Sequence, residues 1–210
     1  MSSLDDQLQQ CRKPTSEEGK ETVEKMNVSH FPITSWGLEA VQIAESDIIL
    51  DIGCGGGRTI ATLAESASGG RVYGIDHSLD CVKWSEEYNR QLVEAGRVEV
   101  FHGGVEEMPF RDDFFNLVAA VETIYFWPEI LESFKEVGRV LKPDGKFLVI
   151  NEMYLSKPFR ERNEECMATG KMTIFSPEQV EQLLKEAGFK KVSTDLVEAE
   201  NWLRCLASLS

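Results

Sequence analysis

Histidine and paired cysteine are scarce in this chain. Three histidines (His30, His77, His102) and five scattered cysteines (Cys11, Cys54, Cys81, Cys166, Cys205) supply all its imidazole and thiol groups. No C-x-x-C pair occurs, so a zinc site has little to draw on and no bound metal is expected. Unpaired thiols fit a reduced compartment better than a disulfide scaffold. No apolar run approaches the ~18 residues of a membrane span. The opening Met1-Ser2-Ser3-Leu4-Asp5-Asp6 lacks both a basic stretch and an apolar core, so no signal peptide and a cytoplasmic location are expected. Basic residues are outnumbered: 22 Lys+Arg face 36 Asp+Glu, a net charge of −14. Such a body repels phosphate backbones, which argues against nucleic-acid partners and favours a small cationic ligand. There is no internal repeat and no low-complexity tract.

What remains is a chain of 210 residues, 42% hydrophobic, with 16 glycines. That length and apolar fraction suit one packed domain. Residues 1–20 are polar and without hydrophobic period, and they read as a flexible N-terminal arm. Residues 21–45 regain helical spacing, broken at Phe31-Pro32, and read as a helical lid. Residues 46–210 then alternate as the core of a single domain. Short apolar runs at 47–52, 71–76, 98–101, 115–121 and 146–151 have the look of strands buried on both faces. Helical patterns separate them, at 58–67, at 79–95 and after Pro128. Ser176-Pro177-Glu178-Gln179 carries a capping-box helix start, and Gly188 marks its end. Runs at 190–197 and 202–208 close the chain as an antiparallel hairpin. Strands alternating with helices give an α/β fold: a three-layer Rossmann-like sandwich around a seven-stranded, mostly parallel sheet. Ligands in such sheets bind at the carboxyl ends of the strands.

The strand ends are where the unusual residues lie. Asp51-Ile52-Gly53-Cys54-Gly55-Gly56-Gly57 follows the first strand. Glycines at such a turn let a ligand approach bare backbone amides. The dinucleotide pattern G-x-G-x-x-G fails, because Arg58 stands where its last glycine belongs. Asp51, two residues before the first glycine, opposes a diphosphate and suits an amine or sulfonium. Asp76 ends the second strand about 20 residues beyond the glycine loop, where an acid accepts hydrogen bonds from ribose hydroxyls. Otherwise it caps the next helix, although Ser78 is better placed for that.

Five segments stand in order: Asp51 to Gly57, Gly74-Ile75-Asp76-His77-Ser78, Glu106-Glu107-Met108-Pro109-Phe110, Phe115-Asn116-Leu117-Val118, and Leu141 to Leu148. Together they resemble the class I S-adenosylmethionine-dependent methyltransferases, in particular the ubiquinone/menaquinone-biosynthesis-like, small-molecule branch, over about residues 30 to 190. The resemblance implies S-adenosylmethionine as cofactor and a small-molecule methyl acceptor. It implies that Asp51 and Gly53 face the methionine end, that Cys54, Gly55 and Gly57 line the nucleoside, and that Asp76 holds the ribose with His77 beside the adenine. The family's usual adenine-binding aspartate is replaced within Gly103-Gly104-Val105, which leaves Gly104, Val105 and Glu106 as the implied adenine contacts. The Asn/Asp-Pro-Pro-Tyr tetrapeptide of enzymes that methylate DNA bases or protein glutamine is absent.

Glu122 follows the fourth strand and is the candidate carboxylate for the cofactor's methionine end or for an acceptor proton. Tyr125, Phe126 and Trp127 either stack on an aromatic acceptor or pack under the next helix. His30 is the candidate acid or base from the lid, and Glu152, Met153 and Tyr154 are expected to complete the wall. The alternative reading is a non-catalytic module that binds S-adenosylmethionine for regulation; a nicotinamide-dependent oxidoreductase is disfavoured by Arg58 and Asp51.

Overall fold

The computed structural model describes residues 4–210, with side chains from residue 8 onward. Helix α1 (Leu4–Arg12), α2 (Ser16–Ser29) and α3 (Phe31–Leu38) precede the sheet. Then follow β1 (Ile48–Ile52), α4 (Arg58–Ser66), β2 (Arg71–Asp76), α5 (Leu79–Tyr88), α6 (Arg90–Glu94), β3 (Val98–His102) and β4 (Phe115–Val121). After a short 3-10 turn at Ile124–Phe126 come α7 (Ile130–Val140), β5 (Leu141–Asn151), α8 (Arg160–Gly170), α9 (Pro177–Glu186), β6 (Lys191–Val197) and β7 (Trp202–Ser208).

The seven strands lie in the order β3-β2-β1-β4-β5-β7-β6. Strands β1 to β5 pair in parallel, and β7 runs antiparallel to both β5 and β6. The terminal hairpin is thus as expected, but its second strand enters the sheet and its first becomes the edge. Chain order reverses between β1 and β4, and this is the point where the carboxyl ends of the strands open a crevice.

The central strands β1, β2 and β4 are buried on both faces, which is why they read as continuous apolar runs. Leu50 and Ile52 join one core with Tyr73, Phe115, Phe134 and Phe147, while Ile49 joins the other with Ile60, Leu63 and Leu148. Each such side chain contributes roughly 1.5–3 kcal/mol through burial. The segment between β3 and β4 carries no helix among the described residues, contrary to strict alternation. Rings hold it instead: Phe110 meets Tyr73, Phe101 and Phe115 edge-on at 5.0–5.8 Å between centroids.

Four expectations need correction. The span 1–20 is not free of regular structure: it holds α1 and the start of α2, so a boundary at residue 20 falls within a helix; residues 1–3 lie outside the described residues. The helix expected at 79–95 is two, broken at Asn89, whose amide turns back to donate to the carbonyls of Gly57 (2.9 Å) and Ser85 (3.0 Å). The helix expected from Pro128 starts at Ile130, after Glu129 in left-handed backbone at φ 39°. Strand β5 begins at Leu141 and absorbs the Lys142–Gly145 turn as an irregularity in its pairing with β4. The capping box at Ser176 is present as expected, with Gln179 Oε1 accepting from the Ser176 amide at 2.8 Å.

Candidate active site

A cavity of about 750 Å³ opens at the carboxyl ends of β1, β2, β4 and β5, beneath α1, α2 and the start of α3. Its floor is the turn after β1. Gly53 sits at φ 74°, and a Cβ there would lie 2.5 Å from Thr123 Cγ2. Gly55 sits at φ 50°, and a Cβ there would meet nothing within 4 Å, so this glycine leaves unfilled space above bare backbone. The Gly55 amide donates to Asp76 Oδ2 at 2.9 Å, and the Ser78 amide donates to Asp76 Oδ1 at 2.8 Å. Ser78 is the cap of α5, as its side chain accepting from Cys81 shows, so the helix start does not need Asp76. The carboxylate is free to serve a ligand with its remaining lone pairs. Burial raises the Asp76 pKa, and the two amides and nearby His77 and His102 oppose that rise.

Most of the residues expected to hold a nucleoside reach this cavity. Gly53, Cys54, Gly55, Asp76, His77, Gly104, Val105 and Glu106 all line it. Glu106 folds over Gly104, so its carboxylate occupies the space a side chain at 104 would need. His77 is half exposed, with Nδ1 3.7 Å from Asp76 Oδ1; burial lowers its pKa and the Asp76 charge works against this.

Two expected contacts lie behind the wall. Gly57 faces away from the cavity, at φ 80° before α4, where a Cβ would lie 2.5 Å from both Ser85 Oγ and Asn89 Nδ2; its role is to let α4 and α5 pack closely. Asp51 is 1% exposed beneath the glycine turn, and its Oδ2 has no hydrogen-bond partner. Burial, reinforced by the negative charge of Asp76, pushes its pKa up to about 8. A buried carboxyl without a partner is costly, so something normally satisfies it. The open cradle at Gly55, the Asp76 carboxylate at the neighbouring strand end and the orphaned Asp51 oxygen fit a cationic adenosyl cofactor.

The far side of the cavity gathers the candidate catalytic residues. Glu122 follows β4 at φ 59°. Its Oε1 accepts from the Glu152 amide, and its Oε2 accepts from the Tyr125 hydroxyl at 3.3 Å. The same Tyr125 oxygen accepts from the Met153 amide at 3.0 Å, tying the end of β4 to the end of β5. Burial, then the charge of Glu152, holds the Glu122 pKa well above the carboxylate range, and burial likewise lifts that of Tyr125. His30, between α2 and α3, reaches the same wall, and burial lowers its pKa.

The alternatives for the aromatic run are not exclusive. Tyr125 and Trp127 line the cavity, yet Tyr125 packs on Met172 and Ile174, and Trp127 lies against Phe134 and Phe147. Glu152 and Met153 are on the wall as expected. Tyr154 is not: it is buried in the core under β5, with its carbonyl held by Asn163 and Asn201. Sequence reasoning missed Arg162 and Cys166 on α8, which has no amphipathic stripe to betray it, and Cys11 on α1, inside the span read as an arm.

A family model described as "Methyltransferase domain" matches residues 50–149, from within β1 to within β5. Among curated relatives, the chain is 32% identical over 152 residues to squalene methyltransferase 1 of Botryococcus braunii, covering 69% of this chain and 40% of the relative. It is 29% identical over 119 residues to the demethylmenaquinone methyltransferase of Lactiplantibacillus plantarum, covering 56% and 50%. The match to the sterol 4-C-methyltransferase strm-1 of Caenorhabditis elegans is 26% identical over 191 residues, covering 90% and 55%. The chain therefore spans about half the length of these relatives. A solved S-adenosylmethionine-dependent methyltransferase from Aquifex aeolicus superposes with a TM-score of 0.74 at 20% identity, over 90% of this chain and 98% of that one. Residues 50–149 thus match a methyltransferase domain, and the sheet order, glycine turn and strand-end aspartate give the chain the fold of solved S-adenosylmethionine-dependent methyltransferases.

Proposed function

We propose that the protein transfers the methyl group of S-adenosylmethionine directly to a small-molecule acceptor. The observation that carries this reading is the single cavity in which the Gly53–Gly55 turn and Asp76 face Glu122, Tyr125 and His30. The named acceptors of its relatives, a sterol, squalene and demethylmenaquinone, are small apolar molecules and favour the same class.

When bound, the cofactor supplies an electrophilic methyl group on a sulfonium. The chain's part is to bind and orient. Asp76 takes the ribose hydroxyls, the amide of Val105 and the carboxylate of Glu106 approach the adenine, and Gly53 receives the methionine end, with the buried Asp51 carboxyl behind it supplying charge rather than contact. Holding the two reactants in line is worth roughly 7–11 kcal/mol in favourable cases. The helices α1 to α3 cover the cavity and exclude water, and Tyr125, Phe126 and Trp127 offer an apolar wall to the acceptor. Two hydrogen bonds hold Glu122, which supports it, with His30, as the group that takes an acceptor proton.

The net charge of −14 speaks against a nucleic-acid acceptor, and five cysteines without a disulfide favour a cytoplasmic setting. No helix among the described residues is long and apolar enough to cross a membrane. Nothing favours the non-catalytic alternative. Calorimetric titration with S-adenosylmethionine and S-adenosylhomocysteine tests the cofactor site, and no binding of either at millimolar concentration rejects it. Label transfer from methyl-labelled cofactor to any member of a metabolite panel establishes catalysis.

A further inference from the structure

Three side chains on the acceptor side of the cavity converge from three separate elements. His30 comes from the α2–α3 junction, Glu122 from the end of β4 and Glu152 from the end of β5. One ligand atom from each lies within 4.8 Å of the others. A cation bound at roughly 2.0–2.4 Å keeps any two of its ligands within twice that distance, a condition the three atoms meet at its outer limit, so that a small side-chain adjustment closes the site on one ion.

The bonding around these groups leaves them available. Among the described residues, neither the His30 imidazole nor the Glu152 carboxylate makes a hydrogen bond, and neither Glu122 nor Glu152 forms an ion pair within 4.0 Å. Glu122 is fixed by the Glu152 amide and the Tyr125 hydroxyl, each of which leaves a lone pair on its oxygen. The Arg162 guanidinium of α8, whose charge acts on Glu122 from a distance, hydrogen-bonds Asn163 Oδ1 at 3.1–3.2 Å and the Glu152 carbonyl at 3.5 Å instead of pairing with either carboxylate. Two carboxylates and an imidazole thus share one partly buried spot with no ion pair within 4.0 Å among the described residues.

We propose that His30, Glu122 and Glu152 form a binding site for a divalent transition-metal cation, beside the methyl-donor pocket. One nitrogen and two carboxylate donors suit Mn²⁺, Fe²⁺ or Zn²⁺ better than Mg²⁺ or Ca²⁺, which take all-oxygen sets. Three protein ligands leave coordination positions open toward the cavity, where an acceptor hydroxyl or thiol would sit. With the ion in place Glu122 acts as a ligand, and the cation lowers the acceptor's pKa in its stead. The inference refines the acceptor half of the proposed methyl transfer but does not need the cofactor to be bound.

The test is titration of MnCl₂ into the full chain without cofactor, followed by the electron-spin resonance of free Mn²⁺. One saturable site per chain is expected, with Glu152→Gln and His30→Gln each weakening it at least tenfold. A spin-echo experiment on the wild-type complex reads the ¹⁴N of one imidazole, so the assignment stands or falls even if a variant fails to fold. No saturable site, several weak sites without a nitrogen signal, or undiminished binding in both folded variants overturns the inference. Parallel titration with S-adenosylmethionine in EDTA separates the two readings: cofactor binding without Mn²⁺ binding removes the metal site alone.

Discussion

Replacing Asp51 by Asn isolates a buried carboxyl whose charge state is set by its surroundings. Asp51 is buried, one of its oxygens is orphaned, and its pKa is raised from 3.8 to about 8. At pH 7 about nine in ten of these carboxyls hold a proton in the ligand-free protein. A cationic methionine end over the Gly53 turn favours the carboxylate behind it over the neutral acid, so binding at pH 6–7 should release close to one proton. Removing that proton costs about 1.4 kcal/mol for each pH unit below the pKa, against roughly 1.5–3 kcal/mol gained from pairing the carboxylate with the cationic end of the ligand. The two nearly cancel at pH 6 and separate by pH 8. Asp51→Asn should therefore leave S-adenosylmethionine affinity almost unchanged at pH 6 and weaken it roughly tenfold at pH 8. Calorimetry in buffers of different ionisation enthalpy counts the protons, and the count should fall to none in the variant. The ligand-free protein gives an independent reading. A carboxyl whose folded pKa lies above its unfolded one contributes full stability below pH 3.8, and that contribution drains away as pH rises toward 8. By pH 7 the loss is about 4 kcal/mol, roughly 10 °C in melting temperature for a chain of this size. The melting curve of the variant should gain on wild type by that order between pH 4 and pH 7. Parallel pH profiles of stability, or proton release that survives the substitution, would refute the reasoning.

Other outcomes follow from the same geometry. Gly53→Ala places a methyl against Thr123 in left-handed backbone and should cost roughly 2–4 kcal/mol of stability in denaturant unfolding. Gly55→Ala meets no atom, so it should cost only about 1–2 kcal/mol while weakening S-adenosylmethionine binding at least tenfold; equal effects at the two glycines would contradict the cradle. Asp76→Ala should weaken cofactor binding by at least tenfold by calorimetry, and an unchanged affinity removes the ribose assignment. Ser176→Ala removes the capping box of α9 and should lower stability by about 1 kcal/mol, read as a shift of about 2–4 °C in melting temperature, with cofactor binding untouched.

Local chemistry wrote much of this protein into its sequence. Strands buried on both faces must be apolar throughout, so β1, β2 and β4 were legible as runs, and Ser176 and Gly188 marked α9 because caps are short-range devices. The glycine turn and Asp76 were legible because their spacing reflects one strand–helix–strand unit. Where local signals conflict with long-range contacts, the reading failed. Asn89 breaks a helix because its side chain serves Gly57, 32 residues away, and the 103–114 segment needs no helix because a cluster of rings holds it. Helices α1 and α8 carry little hydrophobic pattern and pack on each other, so neither announced itself nor its cavity residues Cys11, Arg162 and Cys166.

By itself, then, the order of residues determined the parallel sheet, the bare-amide turn and the acid beside it, since each arises within a few dozen residues of chain. Only the tertiary structure decided that Asp51 lies behind the wall, that Tyr154 belongs to the core, and that His30, Glu122 and Glu152 meet. Those three are separated by 92 and 30 positions, and no local periodicity records which strand ends and helix junctions will face one another across a cavity.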